Sequence, residues 1–145
     1  MLKNFINAGI FKAYDIRGRY PDELNERTAE FIAAGIKKIF QYGKVVIAHD
    51  ARLSSPALYK AAVRGLNYSN VFKNIRIEKI KIIQVGIATT PMFYFLVNHF
   101  KAGGGIMITA SHNPKEYNGL KIVGKNAALL SGVDILNIIL RKKEV

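Results

Sequence analysis

The residues best suited to chemistry lie between positions 109 and 121, in the sequence TASHNPKEYNGLK. Ser111 supplies a hydroxyl, His112 an imidazole and Lys121 an ammonium group. The apolar run 106–108 comes directly before them, and α/β proteins bind ligands beyond the carboxyl ends of their strands. The pattern predicts a reactive loop at the end of a strand, centred on Ser111.

Several kinds of serine chemistry do not fit this loop. Neighbouring side chains on an extended segment point apart, so Ser111 and His112 do not form a hydrolase pair, and no Gly-x-Ser-x-Gly elbow is present. A phosphate-binding P-loop is absent, because the glycines at 103–105 precede a strand. Metal-ligand spacing is also missing. Two interpretations remain. The loop could hold a phosphate on Ser111, or an incoming phosphate, near the cations Arg17, His112 and Lys121. Alternatively, it could be a purely structural turn.

Two further polar segments follow predicted strands. In residues 49–56 (HDARLSSP), Ser55 is either a helix cap or a ligand group, and Arg52 either pairs with Asp50 or serves the site. Residues 86–91 (GIATTP) are either a turn with a helix cap or a loop packed under the active site. The residue types leave these alternatives open.

Composition limits the class of protein. The chain has 145 residues, 50% hydrophobic and 22% charged, which is typical of one globular domain. There is no cysteine, so we expect no disulfides and a reducing, cytoplasmic location. No apolar run approaches the roughly 18 residues of a membrane span, and the N-terminus does not resemble a signal peptide.

The formal net charge is +12, with the basic residues spread over most of the sequence. A nucleic-acid surface is normally a dense basic patch with interleaved aromatic residues. We therefore expect solvated basic faces, some long-range attraction of an anionic small molecule, and no nucleic-acid or membrane partner.

Hydrophobic periodicity alternates between β and α patterns. Predicted helices cover 28–40, 55–66 (after a cap at Ser55), 90–100 (capped by Thr90) and 131–143, and predicted strands cover 45–48, 81–85, 106–109 and 120–123. Residues 67–78 interrupt the pattern as a surface excursion. The alternation predicts a three-layer α/β/α fold with a mainly parallel sheet of about four strands.

Four motifs in this order resemble a known family. They are 11–18 (FKAYDIRG), 49–56, 86–91 and 109–121. Together they resemble the N-terminal domain, domain I, of the α-D-phosphohexomutases, closest to the bacterial phosphomannomutase/phosphoglucomutase group. The resemblance covers nearly the whole chain.

The resemblance implies reversible phosphate transfer between the 1- and 6-positions of a hexose phosphate through a bisphosphorylated sugar. It implies a phosphorylated Ser111 that also binds Mg²⁺, with hexose 1,6-bisphosphate as activator. It also implies catalytic roles for Arg17, His112 and Lys121, with Lys121 as a candidate general acid or base. It implies substrate or phosphate binding by Tyr14, Asn113 and Arg52.

The motifs of later phosphohexomutase domains, including the remaining metal ligands, are absent from residues 1–145. We therefore expect a single domain I without mutase turnover of its own. Two alternatives remain: a binding or regulatory module that assembles with separately encoded domains, and a basic scaffold that binds polyanions. The sugar preference is not encoded in this part of the family's sequence.

Overall fold

The structure, a computed structural model, describes residues 6–40, 43–68 and 80–140. Its strands are β1 Ile16–Arg19, β2 Lys44–His49, β3 Lys81–Ile87, β4 Gly104–Ile108 and β5 Tyr117–Val123. Its α-helices are α1 Glu26–Ile36, α2 Ser55–Asn67, α3 Thr90–His99 and α4 Gly132–Leu140. Short 3₁₀ helices cover Ala8–Ile10, Lys37–Phe40 and Lys125–Ala127. In this described part, no helix is long and apolar enough to span a bilayer.

The strands form a sheet in the order β1-β5-β4-β2-β3. Strand β2 pairs in parallel with β3 and β4, whereas β5 is antiparallel to both β4 and β1. The sheet is therefore only partly parallel, whereas the prediction was a mainly parallel one. The link from β4 to β5 is too short for a helical crossover, so the chain turns back and pairs antiparallel.

The three-layer α/β/α fold is confirmed by two apolar clusters, one on each face of the sheet. Helices α1, α2 and α4 share a cluster with Ile106 and Ile108, while α3 packs over Met107 on the other face. Alternate residues of β4 thus enter opposite cores, as the period of a strand requires. Because all of β4 is buried, it is a rigid base for the loop that follows it.

The structure adds β1 as a fifth strand. This segment, IRGR, contains a single apolar residue, Ile16, which is too little for a periodicity signal. It becomes a strand because it pairs with β5, with Ile16 opposite Leu120 and Arg17 opposite Gly119. Tertiary pairing therefore creates the element that carries Arg17.

The predicted helices are present: α2 and α3 begin where predicted, and α1 and α4 begin within two residues of the predicted start. Helix α1 begins at Glu26 behind an Asn25 cap, and Thr89, rather than Thr90, caps α3 by accepting from the Met92 amide. The predicted Ser131–Asp134 capping box is confirmed by reciprocal hydrogen bonds between the two residues. The predicted end of the last helix at 143 and most of the excursion 67–78 lie outside the described residues.

Lys37 departs from the helix pattern. Its spacing predicts a solvated face, yet the side chain is buried and its Nζ donates to the Tyr68 carbonyl at 3.4 Å. Burial lowers the pKa of this ammonium group.

Helices α1 and α2 pack closely together at Gly65. A Cβ added there would overlap the Glu30 carbonyl oxygen and lie 2.9 Å from the Ala33 Cβ. Gly124 differs, because the Ala128 carbonyl oxygen, at 3.9 Å, is the one atom within 4 Å of an added Cβ. Its φ of -90° also suits a residue with a side chain.

We expect Gly65→Ala to lower the free energy of unfolding by about 2–3 kcal/mol, because the helices must separate. Gly124→Ala is the matched control: its Cβ has room, so the free energy of unfolding should stay within about 1 kcal/mol of the unaltered value. Urea unfolding of both variants measures the difference. Equal stabilities would contradict the proposed close contact.

Candidate active site

The loop after β4 lies beside the residues that follow β2. These strands are parallel neighbours, so their carboxyl ends meet at one edge of the sheet. The Asp50 amide donates to the Ile108 carbonyl at 2.9 Å, which fixes the two chain segments together as they leave the sheet. The site forms around this junction.

Ser111 is exposed at the start of the loop, with a φ of 52°. Its amide donates to the Thr109 hydroxyl at 3.0 Å, and Arg17 Nη2 lies 3.5 Å from its Oγ. The structure therefore presents the serine hydroxyl at the surface, directly beside a guanidinium group.

Arg17 reaches the loop from β1. Its Nε donates to Asp15 Oδ2 at 2.7 Å, and its Nη1 donates to Asn113 Oδ1 at 2.6 Å. Asp15 is nearly buried, so its carboxylate holds the arginine in one orientation. The structure thus brings together three predicted site residues, Arg17, Ser111 and Asn113.

The Arg52 side chain binds backbone carbonyl groups of the same loop. Its Nη1 donates to the Pro114 and Tyr117 carbonyls, and its Nη2 donates to those of Ser111 and Asn113, at 2.7–3.1 Å. Arg52 Nε also donates to Asp50 Oδ2 at 3.3 Å, so the ion pair suggested by the sequence is present. Every nitrogen of this guanidinium group is committed to the protein.

The sequence suggested Asp50 only as an ion-pair partner of Arg52, yet its carboxylate accepts four hydrogen bonds. Oδ1 accepts from the Arg52 amide at 3.0 Å and from the Ser55 hydroxyl at 2.5 Å. Oδ2 accepts from Arg52 Nε and from the Thr109 hydroxyl, the latter at 2.8 Å. The position of Asp50 directly after a buried strand was the one available signal.

Ser55 is neither the helix cap nor an exposed ligand group. It is the first residue of α2 and fully buried, and its Oγ also accepts from Asn118 Nδ2 at 3.0 Å. Asn118, on β5, is buried as well and donates to Ser54 at 2.7 Å. These contacts tie the start of α2 to the strand that follows the loop.

Lys121 lies on the same face of the sheet as Arg17. Directly opposed residues of antiparallel strands share a face, and Lys121 opposes Met107, which packs toward α3. Gly119, two residues earlier on β5, opposes Arg17. Register therefore directs both cationic side chains toward the α3 side, with Lys121 partly exposed.

The remaining predicted residues, Tyr14 and His112, are exposed. Neither side chain forms a hydrogen bond to another residue in the described part of the chain. On α3, burial raises the pKa of the Tyr94 phenol, and the negative charge of Asp15 raises it further. The sequence did not indicate this influence of Asp15 on Tyr94.

Residues 86–91 lie next to the site. A cavity of about 460 Å³ is lined by Asp50, Met107, Thr89 and Thr90, among others. The segment therefore caps a helix and also borders the carboxyl edge of the sheet.

We expect Arg52→Lys to cost about 2 kcal/mol, since one ammonium group cannot reproduce five hydrogen bonds from a planar fork. Hydrogen exchange should quicken at the loop amides of Asn113 and Tyr117. Arg64→Lys is the matched control, because Arg64 forms an exposed ion pair with Glu30 and should change stability by less than about 0.5 kcal/mol. Unchanged exchange in the Arg52 variant would refute the role.

Comparison with known proteins gives a consistent result. A curated relative from Xanthomonas campestris pv. campestris, named "Phosphohexose mutases", is 46% identical over 121 residues, which are 83% of this chain and 25% of the relative. A Klebsiella pneumoniae phosphomannomutase is 40% identical over 122 residues, covering 84% of this chain and 72% of that protein. The chain spans about a quarter of the length of most of these relatives.

A solved structure shares the fold. A phosphoglucomutase/phosphomannomutase family protein from Burkholderia thailandensis superposes with a TM-score of 0.78 at 31% identity, over 94% of this chain and 30% of that protein. The family model for the phosphoglucomutase/phosphomannomutase α/β/α domain I matches residues 8–144. This chain therefore belongs to the phosphoglucomutase/phosphomannomutase family, in the part that forms its domain I.

Proposed function

We propose that this chain is the phosphoryl-carrying domain of a phosphohexomutase, with the phosphoryl group on Ser111 Oγ. The observation that carries the proposal is the exposed Ser111 hydroxyl beside Arg17, whose guanidinium is fixed by Asp15 and Asn113. A cation held in place before reaction stabilises a phosphoryl group without reorganising.

The proposed reaction moves one phosphoryl group between two oxygens. The bond from Ser111 Oγ to phosphorus breaks as a bond from a sugar hydroxyl oxygen to the same phosphorus forms. The hydroxyl proton passes to a base, and Oγ regains a proton when the serine is free. Reversal with the other phosphate of the bisphosphorylated sugar completes the interconversion of hexose 1-phosphate and hexose 6-phosphate.

The surrounding residues support distinct roles in this scheme. Arg17 neutralises charge on the phosphoryl group, and Lys121, on the same face, is the candidate proton donor or acceptor. Asn113 orients Arg17, while the exposed Tyr14 and His112 border the substrate side. Arg52 is better supported as a holder of the loop than as a phosphate ligand, because its nitrogens already donate to carbonyls.

The described residues do not by themselves fit a Mg²⁺ site. They contain no cluster of three or more His, Cys, Asp or Glu side chains, and the nearby carboxylates of Asp15 and Asp50 are occupied by arginines. Mg²⁺ prefers near-octahedral oxygen ligands. A phosphate on Ser111 is the oxygen donor that these residues would offer, so no step of the scheme is assigned to the metal.

The proposal concerns a domain and its place in a larger enzyme. Since the chain spans about a quarter of most of its relatives, we propose that sugar selection and full mutase turnover need the remaining domains. A hexose phosphate and those domains are the proposed partners, and the cytoplasm is the proposed compartment.

We expect incubation with glucose 1,6-bisphosphate and Mg²⁺ to add one phosphoryl group to the protein, slowly, at Ser111. Intact-mass analysis with peptide mapping measures the product. Ser111→Ala should abolish the label, whereas Ser131→Ala, which removes a partly exposed helix-capping serine, should keep it. The chain alone should not convert glucose 1-phosphate to glucose 6-phosphate. Label persisting in Ser111→Ala would overturn the assignment.

We expect Arg17→Lys to slow this labelling by about 100-fold, since it removes a fixed donor beside the transferred group. Arg19→Lys is the matched control, because Arg19 lies two residues along the same strand and is exposed. Labelling time courses of the three proteins supply the rates. A similar rate in both variants would rule out the special role of Arg17.

A further inference from the structure

Ser111 has a backbone conformation that a residue with a side chain seldom adopts. Its φ of 52° lies in the left-handed region, where the Cβ crowds the following carbonyl group. Such conformations persist where the surroundings impose them, and they cluster at functional sites. The structure shows which groups surround the two peptide groups of Ser111.

On the amino side, the Ser111 amide donates to the Thr109 hydroxyl at 3.0 Å. Thr109 is buried, and the same hydroxyl donates to Asp50 Oδ2 at 2.8 Å. A hydroxyl that donates to a carboxylate has its lone pairs free to accept, so Asp50 fixes the Thr109 hydroxyl as the acceptor for Ser111.

On the carboxyl side, the Ser111 carbonyl accepts from Arg52 Nη2 at 2.8 Å. Arg52 Nε donates to the same carboxylate oxygen, Asp50 Oδ2, at 3.3 Å. The hydrogen bonds thus close a ring, which we call the Asp50 ring: Ser111 amide, Thr109, Asp50, Arg52, Ser111 carbonyl. Ser111 Oγ takes no part in these hydrogen bonds.

We propose that Thr109, Asp50 and Arg52 are positioning residues, and that the Asp50 ring imposes the left-handed conformation that presents Ser111 Oγ to Arg17. The catalytic consequence rests on the proposed function. Arg17 and Asn113 act on the side-chain side of the loop, and the ring acts on its backbone. The ring thus sets the backbone conformation of Ser111, whereas Arg17 supplies the positive charge beside its hydroxyl.

Thr109→Val tests the ring, because it removes the hydroxyl and keeps the branched shape. Thr109→Ser restores the hydroxyl, and Thr28→Val is the matched control: Thr28 is also buried, and its hydroxyl donates to Asn25, the cap of α1, which is not part of the Asp50 ring. Amide exchange, the three-bond amide–Hα coupling and the Cα shift of Ser111 are followed by NMR. The rate of labelling by glucose 1,6-bisphosphate is measured beside them.

In the unaltered protein, the Ser111 amide should exchange about tenfold more slowly than the His112 amide, which has no such acceptor. Thr109→Val should bring Ser111 to the exchange rate of His112, move its coupling and shift away from left-handed values, and slow labelling about tenfold. Thr109→Ser should reverse all three changes. Thr28→Val should leave Ser111 and its labelling unchanged.

Two results would overturn the proposal. One is fast Ser111 exchange or an extended-backbone signature in the unaltered protein, a measurement that holds even where Thr109→Val does not fold. The other is a folded Thr109→Val protein with an unchanged Ser111. Absence of labelling in the unaltered protein would instead refute the proposed function, while the NMR signals would still decide whether the ring sets the backbone.

Discussion

The Asp50 carboxylate lies where three parts of the chain meet: the end of β2, the start of α2 and the loop after β4. It accepts from Ser55, Thr109 and Arg52, so each part is held through the same two oxygens. A carboxylate with limited access to water needs such donors, since an unpaired charge there would be strongly destabilising. The orientation of Arg52, and with it the shape of the serine loop, depends on this one group.

Two arginine–aspartate pairs contact different parts of the loop around Ser111. Arg52, held by Asp50, binds carbonyl oxygens and determines the path of the backbone. Arg17, held by Asp15, faces the side chains and brings positive charge to the serine hydroxyl. Both guanidinium groups are oriented by buried or half-buried acids, which lowers the reorganisation needed when an anionic group binds.

Local sequence patterns predicted most helices and strands of the fold. They failed where pairing between strands determines whether a segment is a strand and in which direction it runs. Periodicity located the helices and four strands, because burial on one face leaves a repeat in the sequence. It missed β1, whose stability comes from β5, and it did not specify the direction of β5, because strand sense depends on the connection and not on composition. Cap positions shifted by one residue at Thr89 and Thr90, where adjacent residues are both good caps.

The sequence by itself determined which polar and charged residues follow β4 and which family the chain resembles, because these depend on residue type and order. Only the tertiary structure decided how those residues are used. Arg52 and Ser111 are 59 positions apart, and Arg17 and Asn113 are 96 apart, so their contacts exist only once the strand order is set. Hydrogen bonds are directional and short, and no one-dimensional pattern specifies which of several nearby polar groups a guanidinium will reach.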